Sequence, residues 1–265
     1  MGHNRNALQI WMINLDNAEE RYTRMSEQLN AMGLSFNRFA AIDGKTQAGN
    51  LKAQVDKPFY ERYMGQQILP GKIGCYFSHL AVWKKLVESG APIGLILEDD
   101  VVFHEDFGTA LDLALAGSEH WDLLKLNSTR AKFPIGQGKM GEYRLNAYLG
   151  RFTGNGCYLL KRETAVRLIP DLEEMKLAFE HEIGRYFAHN YRQYGLQPFP
   201  THIDDGGVSQ ITGVGNELVS KTRGLGRLPF FLFKAANYLR RLNYLVWRGR
   251  IVGRSTQLLE YEPER

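Results

Sequence analysis

Short unbroken apolar runs and apolar residues at helical spacing take turns along the first half of this chain. Residues 8–15, Leu-Gln-Ile-Trp-Met-Ile-Asn-Leu, predict a buried strand. Asp16 with Glu19 three residues later resembles a capping box, and Tyr22, Met25, Leu29 and Met32 then recur at helical spacing until Gly33. A second strand is expected over 36–42, closed by Asp43-Gly44. Residues 45–71 show no period and predict a loop with short helical pieces. A helix over 73–89 carries Phe77, Leu80, Trp83 and Val87 on one side. A strand from Ile93, a helix over 105–116 and a strand over 121–127 follow. This alternation predicts an α/β fold with a largely parallel sheet and helices on its faces. Beyond residue 128 the pattern weakens. Segments 143–149 and 157–160 flank Gly154-Asn155-Gly156, which suits a hairpin or a close backbone approach to a ligand. Segments 162–169 and 177–193 read as helical.

The strand Ile93-Gly94-Leu95-Ile96-Leu97 runs directly into Glu98-Asp99-Asp100. Like charges this close repel, and a divalent cation would remove the conflict. Ligands of open α/β sheets bind beyond the carboxyl ends of strands, where these acids would lie. In extended backbone Glu98 and Asp100 would share a face and Asp99 would oppose them. Two oxygens on one side suit Mg²⁺ or Mn²⁺. The alternative is a solvated strand end.

Composition is that of a globular protein, 44% hydrophobic and 23% charged. The sequence contains no apolar run long enough to span a bilayer, and its first residues lack a signal-peptide core. Cys75 and Cys157 are too few for a disulfide framework; free thiols in a reducing compartment are expected. Charge is uneven. Between Glu217 and Glu260 there is no acidic residue and there are nine basic ones, so the remainder of the chain is net negative.

A second constellation is Gly71-Lys72-Ile73-Gly74-Cys75-Tyr76-Phe77-Ser78-His79. Glycines before a helix let backbone approach a ligand, and helix N-termini favour anions. For His79 a half-buried structural histidine is the competing reading; for Cys75 packing is preferred.

These segments together resemble glycosyltransferase family 25, which includes bacterial lipooligosaccharide galactosyltransferases. The resemblance runs through Ile13-Asn14-Leu15, Arg21, Ala41-Ile42-Asp43-Gly44, Gly74-Cys75 and Ser78-His79-Leu80. It continues through Leu97-Glu98-Asp99-Asp100-Val101 and Gly154-Asn155-Gly156-Cys157-Tyr158-Leu159-Leu160, covering residues 8 to about 212. It implies a GT-A-type nucleotide-sugar-binding fold, a Rossmann-like mixed sheet flanked by helices, with a UDP-sugar donor and inversion at the anomeric carbon. By position it implies that Glu98 and Asp100 hold a divalent metal, Mn²⁺ or Mg²⁺. It further implies that Asn14, Leu15, Arg21, Asp43, Ser78, His79, Asp99, Gly154 and Asn155 line the donor site. A metal bridging the diphosphate stabilises the leaving group, and one carboxylate then suffices as base for the acceptor hydroxyl.

For that base the family shows an aspartate where this chain has Ala178-Phe179-Glu180-His181-Glu182. Glu180 takes the aspartate's position. Glu180 or Glu182 could serve, or Glu180 could bind the donor sugar; a solvated helix start is the competing reading. Downstream, His202 and Asp204-Asp205 beside Ser209 read mainly as a polar loop, with a further metal ligand as the alternative.

The chain divides, on this reading, into a catalytic domain over 1–215 and a basic amphipathic helical region over 216–265. From Leu228 to Trp247, Leu228, Phe231, Leu232, Ala235, Tyr238, Leu239, Leu242, Leu245 and Val246 share one broad helical face. Lys234, Asn237, Arg240, Arg241 and Arg248 lie opposite, with Phe230, Phe233 and Tyr244 intruding. Such a helix fits an anionic membrane surface, engaged through residues 221–254, or equally the catalytic body. Nucleic acid is not expected, since no recognition motif accompanies the charge. A lipid-linked saccharide acceptor would put the protein peripherally on the cytoplasmic face of a bacterial inner membrane. A protein side-chain acceptor, or a non-catalytic membrane-associated saccharide-binding role, are the alternatives.

Overall fold

The computed structural model describes residue 5 and residues 7–204, 220–248 and 256–260. Chain order is β1 (Leu8–Asn14), α1 (Glu19–Ala31), β2 (Asn37–Ala40), α2 (Gly44–Leu51), α3 (Lys57–Met64) and α4 (Pro70–Ser89). Then come β3 (Ile93–Glu98), β4 (Val101–Phe103), α5 (Phe107–Ala116), β5 (Leu123–Lys125), β6 (Arg130–Ala131), β7 (Pro134–Met140) and β8 (Tyr143–Tyr148). They are followed by β9 (Phe152–Thr153), β10 (Cys157–Lys161), α6 (Arg162–Leu172), α7 (Phe179–Ile183) and α8 (Tyr186–His189). The chain closes with β11 (Gln193–Gln197), β12 (Thr201–Ile203), α9 (Leu228–Trp247) and β13 (Gln257–Leu259).

Nine strands form one mixed sheet in the order β13-β7-β8-β11-β5-β10-β3-β1-β2; β4 pairs with β12 and β6 with β9 in two small ribbons. Side chains alternate between the sheet's faces. Trp11, Ile13, Ile96, Tyr158 and Leu160 join the core beneath α4, α6 and α7. Ile10, Met12, Leu95, Leu97, Cys157 and Leu159 join the opposite core against α1 and α5.

The sheet is less parallel than the alternation predicts. β1 runs parallel to both β2 and β3, but β10 enters antiparallel between β3 and β5. The cause is what precedes β10: an antiparallel β7–β8 pair instead of a crossover helix. Segments 143–149 and 157–160 therefore do not form a hairpin, since β8 pairs with β7 and β11. The run 177–193 is not one helix but α7, α8 and the approach to β11. The capping box is also absent. Ala18 is the N-cap of α1 without a side-chain bond, and Asp16 instead meets Arg38 at 3.0 Å.

β1 has β2 on one side and β3 on the other, so the connections leaving it go opposite ways. The ends of all three strands point to one edge, the topological switch where α/β sheets place ligands. Register pairs Ile13 with Glu98 and Leu97 with Cys157. Asn14, the acidic triplet and Gly154–Gly156 are thereby delivered to that edge together.

Helix α9 spans the predicted residues, and α3 and α8 are its packing partners. β13 adds a parallel edge strand to β7. Helix α9 and β13 thus pack against the same body, while the expected boundary at 215–216, Asp205, Ser209, Arg250 and Arg254 lie outside the described residues. Among the described residues, no helix is long and apolar enough to cross a membrane. Cys75 and Cys157 are both free.

Candidate active site

A cleft of about 400 Å³ opens at the switch point. Leu15, Arg21, Asp43, Ser78, His79, Glu98, Asp99, Asp100, Gly154, Asn155 and Glu180 all line it, with Lys45, Lys72, Cys75 and Thr129. Asn14 lies beneath the surface, and Glu182 is absent from the lining.

The acidic triplet does not continue as a strand. β3 ends at Glu98, and Asp99-Asp100 form a turn before β4. The predicted alternation of faces therefore fails, and all three carboxylates reach the cleft. Each has a different environment. Asp99 Oδ2 accepts from Asn14 Nδ2 at 2.7 Å, and its Oδ1 accepts from Arg21 Nη1 at 3.1 Å. Asn14 is held in turn, donating to Ala18 O and accepting from Arg38 Nε. Asp100 meets Arg21 at the longer distance of 3.6 Å, and its buried Oδ1 has no hydrogen-bond partner among the described residues. Desolvation, then the charges of Glu98 and Asp99, push the Asp100 carboxyl up to about 7 against the pull of Arg21.

Glu98 is oriented by a relay beneath the cleft floor. The indole Nε1 of Trp83 can only donate, and it meets Tyr158 Oη at 2.9 Å. The Tyr158 hydroxyl proton is then free for His79 Nδ1 at 3.0 Å, which leaves the proton of His79 on Nε2, 3.0 Å from Glu98 Oε1. His79 is 1% exposed and stacks on Phe179 at 4.7 Å, so it is neither half-buried nor bonded to backbone.

The donor set fits a hard divalent cation. A buried oxygen without a partner and crowded carboxylates are what such an ion relieves. Glu98 and Asp100 could hold it, with Asp99 already committed to Asn14 and Arg21. The thiol of Cys75, His79 Nε2 and a Glu98 oxygen also lie within 4.8 Å of one another. That trio is less apt, because His79 spends its Nε2 proton on Glu98 and burial pushes the Cys75 thiol up.

Ser78 and Asp43 have structural partners. Ser78 Oγ accepts from Ile42 N and donates to Gly74 O, and Asp43 caps α2 through Lys45 N. Gly74 sits inside α4, not before it. A Cβ there would lie 2.3 Å from Ile42 O, so the close approach is to protein backbone and not to a ligand. At Gly154, with φ +99°, a Cβ would lie 2.7 Å from Thr129 N. Beside it, the buried Asn155 Oδ1 is an unpartnered acceptor in the cleft lining.

Across the cleft, Phe179 packs against Tyr76, His79 and Trp83 and so fixes Glu180 at the rim. Lys72 Nζ lies 4.0 Å from Glu180 and His181 Nε2 3.9 Å. Burial raises the Glu180 carboxyl, but Lys72, His181, Lys125 and the Gly154 backbone outweigh it and hold it below the usual range. Glu182 turns inward to Arg185 at 3.0 Å and His189 at 3.6 Å. Of the two predicted base candidates, only Glu180 faces the cleft. His202 pairs with His104 at 2.9 Å on the β4–β12 ribbon, and Asp204 N donates to Asp100 O.

Two lysines escaped the sequence reading. Lys72 was visible only as a member of its glycine-rich string. Lys125 carried a clearer signal, a lone charge in Leu123-Leu124-Lys125-Leu126. It is fully buried, its Nζ has no hydrogen-bond partner, and it lies 4.7 Å over the Phe152 ring. Burial brings its ammonium down to about 7, against the pull of Glu180 and Glu98.

Residues 7–183, from β1 through α7, match the family model described as glycosyltransferase family 25 (LPS biosynthesis protein). A glycosyltransferase 25 family member of Anopheles gambiae is 27% identical, covering 76% of this chain and 38% of that protein. Procollagen galactosyltransferase 1-A of Xenopus laevis is 25% identical over 76% of this chain and 37% of its own length. The human protein named inactive glycosyltransferase 25 family member 3 is 27% identical over 73% and 37%. The chain thus spans under two-fifths of the length of these curated relatives. The matched segment carries the acidic triplet, the His79 relay and Glu180, and the chain belongs to glycosyltransferase family 25.

Proposed function

We propose that this protein is a GT-A-type inverting glycosyltransferase that moves galactose from a UDP-sugar to a saccharide acceptor. The observation that carries this reading is the asymmetry within the triplet. Asp99 is fully bonded, whereas Asp100 keeps a buried, unpartnered oxygen beside Glu98 at the sheet's ligand-binding edge. Such a site suits a divalent cation, and through it the diphosphate of a nucleotide sugar.

In this scheme Glu98 and Asp100 hold the metal, and Arg21 and Asn14 keep the aspartates in place. Bound Mn²⁺ or Mg²⁺ would neutralise the charge that develops on the departing diphosphate. Asn155 and the backbone at Gly154 contact the donor. The acceptor hydroxyl oxygen attacks the anomeric carbon while the bond from that carbon to the diphosphate oxygen breaks. UDP leaves with the electron pair, and the hydroxyl proton passes to Glu180, which its neighbours keep ionised at neutral pH. Lys72 screens that carboxylate from the negative triplet. Galactose as the sugar follows the names of the procollagen galactosyltransferases.

The proposed acceptor is a lipid-linked saccharide, in line with the family's description. The relatives named for procollagen favour a protein side chain instead. Competition between a lipid-linked saccharide and a hydroxylated peptide separates the two. A thermal-shift screen of UDP-sugars with Mn²⁺ tests the donor: UDP-galactose should raise the unfolding midpoint most, and no response to any UDP-sugar contradicts the reading.

A further inference from the structure

Helix α9 docks on the body with the face that its composition least favours. Phe233 packs on Phe59 and Tyr63, and Tyr244 on Tyr186. Arg241 reaches under the helix and donates to the carbonyls of Leu149, Gly150 and Gly184. Phe233 and Tyr244 are aromatic residues that intrude on the polar side of the helical projection, the side to which Arg241 belongs. The preceding strand of chain is tied as well, through Gln67 N to Ser220 O and Thr222 N to Gly65 O.

The consequence is that most of the broad apolar face points outward; of its members Leu245 is buried in the core and Leu242 half-buried. Leu228, Phe231, Leu232, Leu239, Val246 and Trp247 are each more than half exposed, with Leu239 at 63% and Trp247 at 79%. At 100° per residue, Lys234 and Arg240 border this stripe on its two sides, and both are exposed. A monomer seldom leaves such a contiguous stripe to water. Sequence alone poses lipid and protein as rival partners for one face; the body takes the opposite face and leaves most of this one exposed.

We propose that the outward face of α9 lies in the interface of an anionic lipid bilayer, parallel to its plane. The charge pattern selects this occupant. Basic residues on both flanks reach up to acidic headgroups while the apolar stripe enters the acyl boundary. A second copy of the chain seated on this face would bring the same basic borders together and repel. The stretch from 218 to 259 has no acidic residue that could relieve that repulsion. The docked face bonds α9 to Gly184, directly after the helix that carries Glu180, so one hydrogen bond links the helix proposed to face lipid with the segment bearing Glu180. This proposal does not depend on the catalytic reading.

The test is sedimentation of the full chain with vesicles, either pure phosphatidylcholine or with about one-third phosphatidylglycerol. The full chain should partition to the anionic vesicles, weaken as salt rises, and bind the neutral ones at least about tenfold less. Leu232→Ser with Leu239→Ser should lower anionic binding by about tenfold or more with an unchanged unfolding midpoint, since neither side chain packs on the body. Lys234→Glu with Arg240→Glu should do the same by reversing the flanks. Absence of binding to anionic vesicles by the folded full chain overturns the proposal. So does a dimer in solution that the serine pair converts to monomer, because the stripe would then be a subunit interface.

Discussion

His79 Nε2 lies 3.0 Å from Glu98 Oε1, and the direction of that hydrogen bond is set two residues away by an indole that can only donate. Trp83, Tyr158 and His79 thus pass one orientation through the core to a carboxylate at the cleft. Tyr158→Phe breaks the relay in its middle and leaves Trp83 Nε1 and His79 Nδ1 buried without partners. Urea denaturation should show a loss of about 1–3 kcal/mol. Unchanged stability would mean that the relay carries no net energy.

Asp100 combines a structural cost with a proposed role. Removing its charge relieves repulsion from Glu98 and Asp99, so Asp100→Asn should be at least as stable as the parent in metal-free buffer while losing transfer. Calorimetric unfolding and a UDP-release assay, run on the same preparation, check both halves. A destabilised but active variant would contradict the assignment.

The two acids of α7 separate by orientation, Glu180 at the cleft rim and Glu182 turned inward. Glu180→Gln should lower kcat by two or more orders of magnitude, as expected for loss of a general base, whereas Glu182→Gln should leave chemistry intact and cost stability through Arg185 and His189. The pH profile adds a sign. Glu180 is held below the ordinary glutamate range, so activity is present above that value and falls as pH drops through it. Lys72→Met removes the largest of the opposing influences on that carboxyl, and the acid limb of kcat/KM should move to higher pH. A limb that stays in place would exclude Glu180 as its source.

Lys125 is buried with its ammonium brought down to about 7, well below its value in an unfolded chain. Between pH 7 and the unfolded value the unfolded chain holds the extra proton, so this group makes stability rise with pH across that window. Below pH 7 both states are protonated and the full penalty of burying the charge applies. Lys125→Met should therefore stabilise at pH 6 by a few kcal/mol, on the order expected for such a shift, and lose the advantage toward pH 10. Parallel denaturation curves at the two pH values give the difference directly; an equal effect at both would contradict the assigned cause.

Much of the site could be read in the sequence because it sits at strand ends, where an apolar run meets acids. The span of α9 was equally readable, since twenty residues of helical period leave little freedom. What escaped depends on long-range pairing. The turn at Asp99-Asp100, which brings three carboxylates to one cleft, follows from β4 leaving the sheet to pair with β12. The antiparallel entry of β10 follows from the β7–β8 pair. The docking face of α9 is not legible from periodicity, which counts apolar area, whereas the body engages a few aromatic rings and one arginine that satisfies three carbonyls. Lys125 was visible as a misplaced charge but had no sequence neighbour to explain it.

The central claim, that Glu98 and Asp100 bind UDP-sugars through a divalent ion, is tested most directly by titrating UDP into the full chain by isothermal calorimetry. Three conditions suffice: Mn²⁺, chelator, and Mn²⁺ with Asp100→Asn. The account predicts saturable binding in Mn²⁺ that weakens by about tenfold or more in the other two, because an ion held by Glu98 and Asp100 would supply positive charge to the diphosphate. Equal UDP affinity in all three conditions would contradict it.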